Sequence, residues 1–154
     1  MSWLPRLIYH ALVWKERKRV ELLRREGAPA NKDATLQTGH RGETLAYWYL
    51  RQAGYIIVAR NHRARHNVGE LDLIGWDGPV LAFVEVKTRT SLEGGEPEEA
   101  VTGLKRQKIV RTARQYLRQN NLDDTSYRFD VVTLYWEPAS GLRLRLSKDA
   151  FRPS

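Results

Sequence analysis

The chain has 154 residues, 42% hydrophobic and 29% charged, with a formal net charge of +8. That is the size of one domain carrying an extension, able to bury about 68–70% of its unfolded surface. Zero cysteines exclude disulfides and thiolate metal sites and fit a reducing, cytoplasmic compartment. No apolar run approaches the roughly 18 residues of a transmembrane helix, and Arg6, His10 and Lys15 interrupt the N-terminal stretch where a signal peptide would need an unbroken apolar segment. Excess Lys and Arg make a polyanion the expected partner, and the predominance of Arg, which grips phosphate bidentately, favours nucleic acid over an anionic membrane surface.

Residues 3–26 read as a basic amphipathic helix, with Leu4, Ile8 and Leu12 repeating at helical spacing before the run Lys15-Glu16-Arg17-Lys18-Arg19. Gly27 to Asp33 is a breaker-rich linker. Residues 1–36 are therefore set apart as an extension, and 37–154 as an α/β domain. The extension could lie on anionic lipid, clamp nucleic acid, bind a protein partner or pack on the domain, and packing is the simplest of these.

A second helix is expected from Thr38 to about Ala53, with Leu45, Ala46, Tyr49 and Leu50 on its apolar face and Gly54 as its stop. Glu43 falls in its first turn, where it would favour the helix dipole or serve as an extra carboxylate at a site. Tyr55 to Ala59 is a strand. The basic stretch that follows, with Arg60, Arg63 and Arg65, suits contact with phosphates. His62 and His66 in it make only a weak metal pair, because the stretch reads as extended or looped.

Residues 69–89 hold two strand-like runs around an Asp77-Gly78 turn signal. A loop at 77–78 or 76–79 pairs Ile74 with Leu81 and Asp72 with Phe83. Side chains alternate, so Glu70, Asp72, Phe83, Glu85 and Lys87 then share one face. Asp72 and Glu85 become diagonal neighbours, about 7–8 Å apart at the backbone. Two carboxylates that close on a half-buried surface repel, unless one is protonated or a cation joins them. Mg²⁺ binds one or two carboxylates and completes its shell with water and phosphate. A solvated Glu–Lys or Asp–Lys pair is the plainer alternative.

Thr90 to Glu98 is a loop. A third helix is expected from Thr102, its N-cap, to Asn120, with Lys105 at the margin of its apolar face. Ser126 to Trp136 is a strand with Asp130 as its odd polar residue. Pro138 to Gly141 turns the chain, and Leu142 to Leu146 is an edge strand guarded by Arg143 and Arg145. The order of elements implies a mixed central β-sheet flanked by helices.

The run Glu70-Leu71-Asp72-Leu73-Ile74, followed by Phe83-Val84-Glu85-Val86-Lys87-Thr88-Arg89, resembles the uncharacterised bacterial YraN family, UPF0102. Gly39-His40-Arg41-Gly42-Glu43 upstream and Arg128-Phe129-Asp130-Val131-Val132 downstream extend the resemblance over roughly residues 39–151. That family looks like a member of the PD-(D/E)XK, restriction-endonuclease-like nuclease superfamily, although Leu71 stands where the proline would precede Asp72.

The resemblance implies an α-β-β-β-α-β core and a Mg²⁺- or Mn²⁺-dependent DNA endonuclease. Asp72, Glu85 and the Val86 carbonyl would be metal ligands. Lys87 would orient the attacking water, and Glu43 would be the helix carboxylate that some members place near the metal. Arg60, Arg63, Arg65, Arg89 and Lys105 are the expected nucleic-acid contacts. Selectivity for branched or single-stranded DNA in repair or recombination follows by analogy. The competing readings are a non-catalytic nucleic-acid-binding module and an adaptor or membrane-surface protein acting through the N-terminal helix. A homodimer is left open.

Overall fold

The apolar runs on either side of Gly78 become the middle of a five-stranded sheet. The computed structural model describes residues 3–26, 32–67, 69–89, 101–137 and 141–153. Its helices are α1 (Leu4–Glu26), α2 (Lys32–Gln52) and α3 (Gly103–Gln119). Its strands are β1 (Ile56–Arg63), β2 (Glu70–Asp77), β3 (Val80–Arg89), β4 (Tyr127–Glu137) and β5 (Gly141–Phe151), and a 3-10 turn, Arg65–Asn67, joins β1 to β2. The strands lie side by side in chain order. All pairs are antiparallel except β3–β4, which is parallel and is bridged by α3, as a parallel crossover requires. The run α2-β1-β2-β3-α3-β4 gives the expected α-β-β-β-α-β order, consistent with a restriction-endonuclease-like fold carrying an added N-terminal helix.

Two cores sandwich the sheet. On one face α3 packs Ile109, Ala113 and Leu117 against Leu71, Ile74, Phe83, Phe129 and Val131. On the other, Val13 of α1 and Leu45 and Leu50 of α2 meet Leu73, Val84, Val132 and Leu134. β3 and β4 are covered on both sides, which is why their sequences read as near-continuous apolar runs. Gly42 lets α2 approach closely: a Cβ there would lie 2.9 Å from Thr88 Oγ1. The extension packs on the domain, with the Tyr9 ring 5.6 Å from Tyr49 and the Arg17 guanidinium donating to the Leu142 carbonyl at 3.2 Å.

Several boundaries differ from expectation. The hairpin pairs Ile74 with Phe83 and Asp77 with Val80, so the turn is Gly78-Pro79 and not Asp77-Gly78. Gly78 supplies the positive φ of 57° that the turn demands, and Pro79, with no N–H, is kept out of the ladder. The slip of two residues preserves the facing of the side chains paired from Leu73–Val84 to Asp77–Val80. α2 begins at Lys32, six residues before Thr38, because 32–38 contains no breaker and Gly39 costs a helix only about 1 kcal/mol. Glu43 therefore sits mid-helix, where the terminal dipole does not reach it. β1 continues to Arg63 by pairing with β2, and β5 continues to Phe151 past a register break opposite Phe129 and Val131. Thr102 caps α3 as expected, accepting from the Lys105 amide at 3.4 Å. The expected loop at 90–98, and residues 27–31 of the linker and 138–140 of the turn, lie outside the described residues. Among the described residues, no helix is long and apolar enough to cross a membrane.

Candidate active site

The β2–β3 ladder ends at the Leu73–Val84 pair. One step beyond, the Val86 N–H, which would continue the ladder to a β2 carbonyl, donates instead to Asp72 Oδ2 at 2.7 Å. A side-chain carboxylate thus takes the place of a backbone acceptor where the two strands part. On β3, Glu85 is only 4% exposed. Its Oε1 accepts from Lys105 Nζ of α3 at 3.1 Å and faces Lys87 Nζ at 3.4 Å. Its Oε2 is buried and has no hydrogen-bond partner among the described residues.

The electrostatics follow from this crowding. Burial, then the charge of Glu85, with a smaller contribution from Glu43, push the Asp72 carboxyl up to about 7 against the opposing Val86 hydrogen bond and Lys105 charge. Burial works to lower the Lys105 ammonium. The charge and hydrogen bond of Glu85, with Asp72 and Glu70 behind them, more than offset it and hold the group above its ordinary value. Two carboxylates and two ammonium groups therefore crowd together at the end of the β2–β3 ladder.

The structure brings Asp72, Glu85, Val86, Lys87 and Lys105 together. Glu43, half-buried on α2, contributes its charge to the raised carboxyl of Asp72. Among the described residues no three His, Asp or Glu side chains form a ligand group. Arg60 pairs with Leu73, next to Asp72. Its guanidinium lies 4.6 Å over the Tyr47 ring and donates to Thr44 Oγ1 at 3.5 Å. Arg63 is exposed and pairs with Glu70 at 3.5 Å. The exposed Arg65 is anchored through its backbone N–H to Gln115 Oε1 at 3.1 Å. Arg89 closes β3, two residues past Lys87. His62 packs edge-on to Tyr116 at 5.1 Å, and burial lowers its pKa. His66 sits in the 3-10 turn at φ 62°.

Sequence reading passed over Thr133. It is fully buried, lies opposite Lys87 in the parallel ladder, and its hydroxyl has no hydrogen-bond partner among the described residues. Threonine is an ordinary strand residue, so only its place in an apolar run could have marked it. Asp130, noticed as odd, is structural. Its carboxylate accepts from the Arg128 guanidinium, the Tyr55 hydroxyl and the Asp149 amide at 2.8–3.1 Å. Arg128 also reaches Asp77, which Lys148 grips at 2.7 Å.

Residues 42–134 match the family model described as "Uncharacterised protein family UPF0102". The chain belongs to this family. A UPF0102 protein of Koribacter versatilis is 53% identical over 100 residues, covering 65% of this chain and 69% of the relative. One from Solibacter usitatus is 46% identical over 112 residues, covering 73% and 80%, and one from Chlorobium limicola is 44% identical over 107 residues, covering 70% and 81%. The UPF0102 match begins one residue before Glu43 and spans the whole Asp72–Lys87 hairpin and Lys105, while α1 lies outside it.

Proposed function

We propose that this UPF0102 protein is a Mg²⁺- or Mn²⁺-dependent DNA endonuclease acting in the cytoplasm. The observation that carries the reading is the unpartnered, buried Glu85 Oε2 beside Asp72, whose carboxyl is itself raised by burial and by Glu85. Burying a carboxylate oxygen with nothing to bond costs free energy that a hard cation removes. Asp72, Glu85 and the Val86 carbonyl are the groups that would hold it, with Glu43 in support. When bound, a divalent cation offsets the charge that builds on phosphorus and acidifies water.

The remaining roles belong to the chain. Lys87 orients the attacking water and stabilises the phosphate charge. Lys105 holds Glu85 and adds positive charge where a phosphate would enter. Arg60, Arg63, Arg65 and Arg89 serve the nucleic-acid backbone, contacts that position a strand without reading its sequence. Preference for branched or single-stranded DNA, in repair or recombination, remains an analogy with the nuclease superfamily.

The test is incubation with single-stranded, duplex, flap and four-way-junction DNA, with Mg²⁺ or Mn²⁺ and with EDTA, beside Glu85→Ala and Lys87→Ala. Cleavage is expected with the metals and lost with EDTA and in both variants. Cleavage that survives EDTA, or is undiminished in Glu85→Ala, overturns the proposal. Binding without cleavage under every condition would favour the non-catalytic module.

A further inference from the structure

α1 has two apolar faces, and the fold uses one. Pro5, Tyr9, Leu12 and Val13 turn inward, with Val13 buried and Tyr9 against Tyr49. Trp3, Leu4, Leu7 and Trp14 stay in solvent, 72%, 49%, 56% and 64% exposed. Trp3 precedes the helix by one residue, and its carbonyl accepts from the Leu7 amide at 3.1 Å, so it continues the helical geometry. At 3.6 residues per turn the four side chains fall within about 100° of one another, on the side turned away from the buried face. Leu22, 56% exposed, extends the same stripe.

The flanks are basic. Arg6 and Lys15 border the stripe on opposite sides and Lys18 lies along it, while residues 3–15 contain no Asp or Glu. Glu16 is occupied by Arg19, and Glu21 by Lys18 at 3.6 Å. Indole rings beside aliphatic side chains and a cationic rim match the boundary between lipid head groups and acyl chains. Nucleic-acid phosphates would use the cations and leave Trp3, Leu4, Leu7 and Trp14 in water.

We propose that α1 docks the protein peripherally on an anionic lipid bilayer, with Trp3, Leu4, Leu7 and Trp14 at the acyl boundary and Arg6, Lys15 and Lys18 on the head groups. The helix lies along the surface and does not cross it, in keeping with the absence of a spanning helix among the described residues. This binding is independent of the proposed nuclease chemistry, and its test requires no cleavage.

Sedimentation of the full chain with phosphatidylcholine vesicles, with and without phosphatidylglycerol, tests it. Tryptophan emission is read in the same samples, and the Trp3→Ser/Trp14→Ser and Arg6→Glu/Lys15→Glu double variants run beside the parent. Both variants leave the packed face of α1 untouched, so their circular dichroism and melting should match the parent. The parent should sediment with anionic vesicles, with a blue-shifted emission that added salt reverses. The tryptophan variant should bind on the order of 100-fold more weakly. The charge variant should lose roughly five-fold for each basic residue removed, and more for the acid introduced. No sedimentation of the parent, equal binding to neutral vesicles, or undiminished binding by the tryptophan variant overturns the proposal. So does a parent dimer that the tryptophan variant converts to monomer, since the stripe would then belong to a second copy of the chain.

Discussion

Asp72 Oδ2 and the Val86 amide, 2.7 Å apart, meet where a β2 carbonyl would otherwise have carried the ladder forward. The side chain satisfies the amide at the point where the β2–β3 ladder ends, one residue from Glu85. Two replacements separate its hydrogen bond from its charge. Asp72→Ala leaves the Val86 N–H without its acceptor and should cost about 1–3 kcal/mol. Asp72→Asn keeps a carbonyl acceptor and discards the charge, so without metal at pH 8 it should be at least as stable as the parent. Both should lose divalent-cation binding, read by calorimetry with Mn²⁺.

The raised carboxyl of Asp72 sets a pH dependence. Its folded value of about 7, raised by burial and by Glu85, lies above the unfolded value of about 3.9. The penalty is absent below that unfolded value, grows as pH rises towards 7, and is fully present above it, where it amounts to a few kcal/mol. The metal-free protein should therefore lose stability from this group on going from about pH 4 to about pH 8. A bound cation needs the ionised form, so Mn²⁺ should raise the melting temperature far more near pH 8 than near pH 5. Equal stabilisation at the two values would contradict the assignment.

Lys105 and Glu85 should be energetically coupled. Lys105→Met leaves the buried carboxylate with Lys87 alone, 3.4 Å away, and should destabilise by about 1–3 kcal/mol. Adding Glu85→Gln should recover much of that loss, because no uncompensated charge then remains. A double-mutant cycle by urea denaturation measures the coupling, and strict additivity would show that the pair does not matter.

The Asp130 network predicts the opposite behaviour. Asp130→Ala leaves the Arg128 guanidinium with Asp77 and the Tyr55 hydroxyl and takes the acceptor from the Asp149 amide, and should cost about 1–3 kcal/mol. Cation binding should survive at temperatures where the variant is folded, because the network lies apart from Asp72 and Glu85. The hydrogen bonds from Lys148 and Arg128 hold Asp77 below its ordinary value. Its contribution is therefore present above the unfolded value of about 3.9 and is lost as pH falls through the lower folded value. Acid titration of the Lys148→Ala protein should show this loss reduced.

The elements, the layer order and the nearness of Asp72 to Glu85 were legible because charges in apolar runs stand out and side chains tend to alternate along a strand. The exact register was not. Asp77-Gly78 and Gly78-Pro79 are both credible turns, and a slip of two residues changes neither face, so facing could not distinguish them. The start of α2 was hidden because Lys32 to Thr38 neither favours nor forbids a helix. Lys105 stood at the margin of an apolar face, and only the packing of α3 on the sheet carries its ammonium to Glu85. Thr133 was illegible, since its meaning comes from a parallel neighbour, Lys87, distant in sequence.

β3 lies in the middle of the sheet, with a ladder on each side and a core on each face. The amides of Leu81 to Val84, which lead up to Glu85 and are paired with both β2 and β4, should thus be among the last to exchange, released only when the whole molecule unfolds. α1, attached through few buried side chains, should open and close many times in that interval. The proposed chemistry and the proposed docking helix would then reside in parts of one chain that breathe on different clocks.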